Sequence, residues 1–374
     1  MALRIQPFDE AAWPALEGLL LQAWPQSWRP ELARKLADWR YRDRSAQTTW
    51  LAFDGDRCVA MLDSILRPYL LDGRRILVRE TCDWFCLPEY RPLGLGISLM
   101  RKMMALPEPL LSIGGTDATL TLLPRLRWTA LPPVQFCVLP NRARGLAGML
   151  LRRKWPAYER LANAIPGSIP LWLPRGARAP GPGFGTASIR ECRPETVASL
   201  PLPRGDGLVQ LLEEPEALWF GRMPRELARP LGLVFLLNDR PVGYSLSQIE
   251  PTASGLNGCI LHLQATHPAQ EVVDWVVAGT ARALARKGVG FIRCRASTPE
   301  KEKALRRAGF LFRKPCPSYW WSNQGIPAPA LLDAGYLRAD DAVPFPMPDE
   351  RHLAGAARPA GPSRGPVLRG AEHP

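Results

Sequence analysis

The chain has 374 residues, 46% of them hydrophobic and 22% charged, which suffices for two domains of ordinary size with their own cores. Its opening, Met1-Ala-Leu-Arg-Ile-Gln-Pro-Phe-Asp-Glu, has no uninterrupted apolar run, and no later run reaches the roughly 18 residues of a membrane span; a cytoplasmic protein without a transmembrane segment is expected. The formal charge of +13 comes mainly from dispersed arginines, with only local groups such as Arg152-Arg153-Lys154 and no RNP, KH or zinc-finger pattern, so no specific nucleic acid is expected.

Eight cysteines scattered over this length are unlike a disulfide-stapled secreted scaffold and read as reduced thiols. Cys82 and Cys86 have no second Cys/His pair of zinc-site spacing after them, and no metal is expected.

In chain order, Leu3 to Phe8 reads as a strand, Ala11 to Trp24 as an amphipathic helix and Pro30 to Tyr41 as a second helix. Thr48 to Phe53, Arg57 to Leu66 and Arg75 to Leu87 are rich in β-formers and separated by turn signals at Asp54-Gly-Asp56 and Asp72-Gly73, which predicts an antiparallel meander. Gly94 to Met104 reads as helix, Leu110 to Ile113 as strand, Ala118 to Leu126 as helix and Trp128 to Val138 as strand. Pro174, Pro180 and Pro182, with four glycines from Gly176 to Gly185, break both helix and sheet. The segment 167–186 is therefore a linker between a first domain, 1–166, and a second, 187–325. From about Asp341 the chain loses periodic apolar residues, and 341–374 reads as a disordered tail.

The second domain repeats the first. Asp56-Arg57 falls on Asp239-Arg240 at an offset of 183, Pro88 on Pro268 at 180, and Thr116 and Trp128 on Thr298 and Phe310 at 182. Offsets this steady indicate an internal duplication.

Chemistry is concentrated at Arg91-Pro-Leu-Gly-Leu-Gly96, which follows a predicted strand and opens a predicted helix. Gly94 and Gly96 let backbone approach a ligand closely, and the first helical turn offers unpaired N–H groups with the positive end of the helix dipole. A pyrophosphate suits such a loop. At the matching positions of the second domain stand Glu271, Asp274 and Val276, two acids and a β-branched residue that repel and obstruct one.

Arg-x-x-Gly-x-Gly after a strand ending at Leu87-Pro88, together with the order of elements, resembles the acetyl-CoA motif of the GNAT superfamily of N-acetyltransferases. That resemblance implies an α/β fold of two tandem GNAT-like domains, each a mostly antiparallel twisted sheet flanked by helices. It further implies an acyltransferase that moves an acetyl or other acyl group from acyl-CoA directly to an amine. Leu87, Arg91, Pro92, Leu93, Gly94, Leu95 and Gly96 would hold the CoA, although Pro92 and Leu93 replace the Gly and basic residue often found there. The second domain keeps neither loop nor base, since Ile260 stands at the position of Glu80.

An ammonium has no lone pair with which to attack a thioester, so the reaction needs a base. Glu80, eleven positions before Arg91, stands where some GNAT enzymes carry a glutamate. Strand alternation would place Glu80, Cys82, Trp84 and Cys86 on one face among apolar neighbours, with Asp83, the second candidate base, on the other. Asp117 reads as a helix N-cap. The tyrosine that often protonates the leaving thiolate is missing from 118–126. Cys82 and Cys86 lack a histidine to activate them as acyl carriers, and His262 and His267 read as structural. Trp39-Arg40-Tyr41 and Tyr319-Trp320-Trp321 read as core or interface packing. The acceptor would be a small-molecule or envelope-precursor amine. Two other readings stay open: a non-catalytic CoA-binding or regulatory protein, and a tandem acyltransferase using another carrier such as aminoacyl-tRNA. Nothing in the sequence sets an oligomeric state.

Overall fold

In the computed structural model, which describes residues 3–23, 30–42, 47–143, 179–200, 206–252 and 255–335, the expected meander forms one end of a single large sheet. β1 (Leu3–Pro7), β2 (Gln47–Asp54), β3 (Arg57–Leu71) and β4 (Arg74–Cys86) pair antiparallel in that order. β3 runs five residues past its expected end and is buried almost throughout. Helix α1 (Trp13–Ala23) packs on β3, while α2 (Pro30–Ala37) ends in a π-helical turn, Asp38–Arg42. A 3-10 turn, Pro88–Leu93, joins β4 to α3 (Leu95–Met104). β5 (Leu110–Ile113), α4 (Asp117–Arg125) and β6 (Thr129–Pro140) complete the first half. The N-cap of α4 is Thr116, whose hydroxyl accepts from the Thr119 N–H; Asp117 is the first helical residue, not the cap expected.

The second half follows the same order. It comprises β7 (Ala187–Cys192), α5 (Pro194–Ala198), β8 (Leu208–Gln210), α6 (Glu214–Gly221), β9 (Arg229–Leu237), β10 (Arg240–Thr252) and β11 (Gly255–Ala265). Then come α7 (Gln270–Arg286), β12 (Val289–Ala296), α8 (Pro299–Arg307), β13 (Leu311–Phe312), β14 (Cys316–Trp321) and β15 (Leu332–Asp333). Thr298 caps α8 as Thr116 caps α4, so the offset of 182 marks equivalent positions in space. The expected tail, 341–374, and most of the expected linker lie outside the described residues.

Each half lends a strand near its end to the other, the first β6 and the second β14. The sheet runs β1-β2-β3-β4-β5-β14-β6-β12-β11-β10-β9-β7. β14 of the second half pairs with β5 of the first, whereas β6 of the first pairs with β12 and β13 of the second. The two lent strands also pair with each other. β6 pairs with β14 through Thr129, Ala130, Leu131 and Val134, with the register broken across Pro132-Pro133, and with β12 from Gln135 onward. Two adjacent prolines carry no N–H for a ladder, so the register breaks where rungs would be missing in any case.

A second join is a pair of tryptophans 180 positions apart. Trp39, in the π-helical turn, and Trp219, in α6, stack with ring centroids 3.9 Å apart and planes 9° from parallel. Each indole N–H donates to the other's backbone carbonyl, at 3.1 and 2.9 Å. The reciprocity is what a pseudo-twofold axis between duplicated halves produces. Trp320, of the second aromatic stretch, is buried core, and Trp321 donates its indole N–H to the Met104 carbonyl at 3.3 Å across the halves. Among the described residues no helix is long and apolar enough to cross a membrane. Truncating Trp219 to Ala removes its indole's bond to the Trp39 carbonyl and a buried ring from the stack, and is expected to cost about 4 kcal/mol, read as a lowered denaturant midpoint; a loss below about 1 kcal/mol would mean that the stack does not hold the halves together.

Candidate functional site

Parallel strands joined by a long crossover need not stay paired along their length, and β4 and β5 do not. Their rungs are Arg79 with Leu110 and Glu80 with Leu111. Beyond Glu80, β4 continues for six residues with no further rung to β5 among the described residues. A cleft therefore opens with its vertex at Glu80 and one wall of β4 backbone, roughly 20 Å long at the rise of an extended strand. It leads to the start of α3.

Just past the vertex β4 is bulged. Asp63 faces Cys82 and Met61 faces Phe85, so Leu62 alone opposes Asp83 and Trp84, and Asp83 has φ 48°. The bulge resets the alternation on which the sequence reading relied. Asp83 is not on the opposite face: its carboxylate lies within 4.8 Å of both Asp63 and the Cys82 thiol. Cys82 packs with Leu36, Trp39 and Ile65, whereas Trp84 reaches the other way and donates its indole N–H to the Gly96 carbonyl at 3.1 Å.

The carboxylates are held very differently. Asp83 accepts from the Arg40 guanidinium at 2.7 and 2.8 Å and from the Tyr41 hydroxyl at 2.8 Å, so the π-helical turn clamps it. Asp63, fully buried, accepts from Gln47 at 2.6 Å, Thr49 at 2.8 Å and the Cys82 thiol at 3.3 Å. Burial, and then the neighbouring Asp83 charge, push the Asp63 carboxyl up to about 7. Burial also raises the Tyr41 phenol well above its ordinary value, so it stays a donor. Asp63, Cys82 and Asp83 form a potential ligand set for a cation, but both oxygens of Asp83 already carry Arg40.

Glu80 sits among polar partners, not the apolar neighbours expected. One oxygen accepts from the Tyr69 hydroxyl and from Gln210 at 2.7 Å; the other lies 3.4 Å from Arg67 Nε. Arg67, fully buried, also pairs with Glu216 of α6 at 2.5 Å. Gln210 and Glu216 come from the second half, so the vertex is closed by groups some 130 positions away.

At the far end of the cleft, Gly94 has φ 72° and caps α3, and no side chain caps that helix. A Cβ on Gly94 would meet open space, while one on Gly96 would lie 3.1 Å from the Trp84 indole nitrogen. The first glycine thus answers a backbone need and the second a packing need. Arg91 points back and donates from Nε to the Cys86 carbonyl at 3.1 Å; Leu93 is exposed; Leu95 is buried under the loop, as is Leu87 behind it. Open helical N–H groups beside a glycine without overhanging atoms fit a pyrophosphate.

The second half has the same cleft and fills it with its own chain. β11 and β12 pair as far as Cys259 with Arg293 and then separate, with the register broken near Leu261 as it is at the Asp83 bulge. Into the gap comes the segment from Leu332 to Gly335. Asp333 pairs with Lys301 at 2.6 Å and accepts from Gln264 at 3.2 Å, and the Ala334 N–H donates to Ser297 at 3.0 Å. The Gly335 N–H donates to Gln210 at 2.9 Å, and a Cβ there would lie 2.3 Å from the Leu261 carbonyl. At the start of α7, Asp274 accepts from Gln270 and pairs with Arg307, while Val276 is core. His262 is structural, in contact with the Gln210 carbonyl at 3.1 Å and pushed down to about 4, chiefly by burial. His267 accepts from the Ala269 N–H. Cys86 is inert: burial pushes its thiol up to about 11.

Sequence reasoning missed Asp63, Arg40, Tyr41 and Gln210 as parts of this site. The signal for Asp63 was an acid inside the apolar run Val59-Ala-Met-Leu-Asp63-Ser-Ile-Leu66, where an unpartnered carboxylate is costly.

No protein-family model and no curated protein matches the sequence. Solved structures do match the fold. A GCN5-related N-acetyltransferase from Anabaena variabilis aligns over 85% of this chain and 72% of its own, at TM-score 0.53 and 11% identity. Saccharomyces cerevisiae N-myristoyltransferase with bound myristoyl-CoA aligns over 85% and 82%, at 0.53 and 8%. A GCN5-related N-acetyltransferase from Kribbella flavida aligns over 85% and 70%, at 0.50 and 15%. The chain carries the GNAT fold.

Between pH about 4, the ordinary carboxylate value, and about 7, the folded state holds a proton on Asp63 that the unfolded chain has lost, so this group makes stability fall as pH rises. His262 acts oppositely: its depressed value means the fold loses stability as pH falls from about 6.5 to about 4. The two slopes offset each other in the native chain. Asp63→Asn leaves only the histidine's, and denaturation midpoints across this window are expected to rise with pH more steeply than in the native protein; an unchanged slope would mean that Asp63 is ionised throughout.

Proposed function

We propose that this protein is an acyltransferase that moves an acyl group from acyl-CoA to an amine, using the first half alone as its acyl-CoA site. One observation carries the reading: the cleft where β4 leaves β5 runs from buried carboxylates at the bulge to an uncapped, glycine-started helix. The edge of β4 that has parted from β5 past Glu80 lies along the path an extended amide-bearing arm would take, and the start of α3 offers N–H groups to a pyrophosphate. In this reading the residues that hold the CoA are Leu87, Arg91, Pro92, Leu93, Gly94, Leu95 and Gly96. The likeness of fold to N-acetyltransferases and to a myristoyl-CoA-bound transferase supports the class and leaves chain length and acceptor open.

Glu80, the base expected from the sequence, takes in this reading a holding task instead. With Tyr69 and Gln210 on one oxygen and Arg67 on the other, it fastens the vertex on which the cleft depends. Glu80→Gln is expected to lower stability by about 3 kcal/mol, because Arg67 keeps only Glu216, while acyl-CoA affinity stays within a few-fold. Full stability with turnover abolished would instead make Glu80 the proton acceptor. The alternative of a CoA-binding protein without turnover is favoured by one feature, the lack of a tyrosine in α4.

The reading is tested by calorimetric titration of acetyl-CoA and longer acyl-CoAs into the native protein and a Gly94→Glu, Gly96→Val double variant that brings acid and bulk into the first loop. One site per chain, weakened at least about a hundredfold in the variant, is the expected result. Absence of binding to the native protein overturns it.

A further inference from the structure

We propose that Asp63 and Asp83 form one proton-sharing carboxylate pair that takes the proton from a cationic amine acceptor, Asp83 meeting the acceptor and Asp63 positioning the shared proton beneath it. This rests on the acyltransferase reading and adds to it the identity of the base and the charge of the acceptor.

The geometry comes first. The bulge turns Asp83 toward Asp63 on β3, their carboxylates within 4.8 Å, where β4 parts from β5, next to where the reacting end of an arm lying along that strand must come. Asp83 keeps 7% of its side chain exposed; Asp63 keeps none. Two carboxylates this close in a buried site do not both ionise freely, and their titration belongs to the pair.

The hydrogen-bond donors seen on the pair among the described residues are Arg40 and Tyr41 from the π-helical turn, Gln47 and Thr49 from β2, and Cys82 from β4. Among these Arg40 is the one cation and Tyr41 stays neutral. With one proton on the pair, the cluster of Arg40, Asp63 and Asp83 is neutral; without it, the cluster carries a single negative charge. An ammonium is attracted to the second state and, by giving up its proton, converts it to the first. The burial that raises Asp63 to about 7 sets this exchange near neutral pH.

The protons balance. The acceptor ammonium gives one proton to the pair, and the freed lone pair attacks the thioester carbonyl. As the C–N bond forms and the C–S bond breaks, the nitrogen loses a second proton, which ends on the departing CoA thiol. The pair then returns its proton to water.

The test uses the full chain with acetyl-CoA and a panel of simple primary amines, read as thiol release. In the native protein kcat/KM is expected to rise with pH to a plateau, with its midpoint at about 7, where burial places Asp63. Asp63→Asn is expected to remove that limb and lower kcat about a hundredfold, with acetyl-CoA affinity by calorimetry unchanged. Asp83→Asn should abolish turnover. A limb and rate preserved in Asp63→Asn, or no amine accelerating thiol release in a protein that binds acetyl-CoA, overturns the pair and leaves the acyl-CoA site standing. Absence of acetyl-CoA binding removes both readings. Should the variants not fold, infrared titration of the native protein decides: a protonated carboxyl C=O stretch lost near neutral pH is expected, and its absence above the ordinary carboxylate range overturns the proposal.

Discussion

A strand whose edge is left bare inside a protein presents a row of N–H and C=O groups that must find partners, and a cleft built by parting two parallel strands creates that problem by design. In this chain both halves answer it in the same way, by giving away a strand near the end. β14 covers the edge of β5, β6 covers the edge of β12, and the lent strands zip to each other between them. The parted strands β4 and β5 can then stay apart over the cleft because each is tied elsewhere, β4 to β3 along its full length and β5 to β14. The exchange also makes the halves inseparable, since either one alone lacks a strand in the middle of its sheet.

The order of elements, the duplication and the glycine loop were legible because each is written in local signals: period, turn residues, and Gly94 at a left-handed backbone angle that favours glycine. The strand exchange was not, since swapping β6 and β14 changes which edge a strand covers without changing its own pattern. The bulge at Asp83 was not legible either. A single extra residue in β4 leaves no mark in composition, yet it reverses every side-chain direction after it, and with it the expected opposition of Asp83 to Glu80 and Cys82. Gln210 stands 130 positions from Glu80, and only tertiary structure brings it there.

The two clefts share their backbone and differ in what lies along it. The first begins at Glu80, passes two carboxylates and ends at a helix start without acids. The second begins at Cys259, where β11 makes its last rung to β12, meets the chain's own Leu332–Gly335 segment, and ends at a helix carrying Glu271 and Asp274. The filling segment has the shape such a gap prefers. It is extended, it donates N–H groups to Ser297 and Gln210, and it ends in a glycine that lets the backbone lie against the Leu261 carbonyl.

That filling reaches back to the first half through one side chain. Gln210 accepts the Gly335 N–H on its amide oxygen and donates its amide nitrogen to Glu80, so the amide orientation is fixed by a backbone donor on one side and a carboxylate on the other. Its own strand, β8, lies between β15 and the end of β3 that carries Tyr69, the other donor to Glu80. The second half therefore sets the position of the group at the vertex of the first cleft. It is tied to the first half by buried charge: removing it would strip Arg67 and Glu80 of Glu216 and Gln210, the partners that make their burial tolerable.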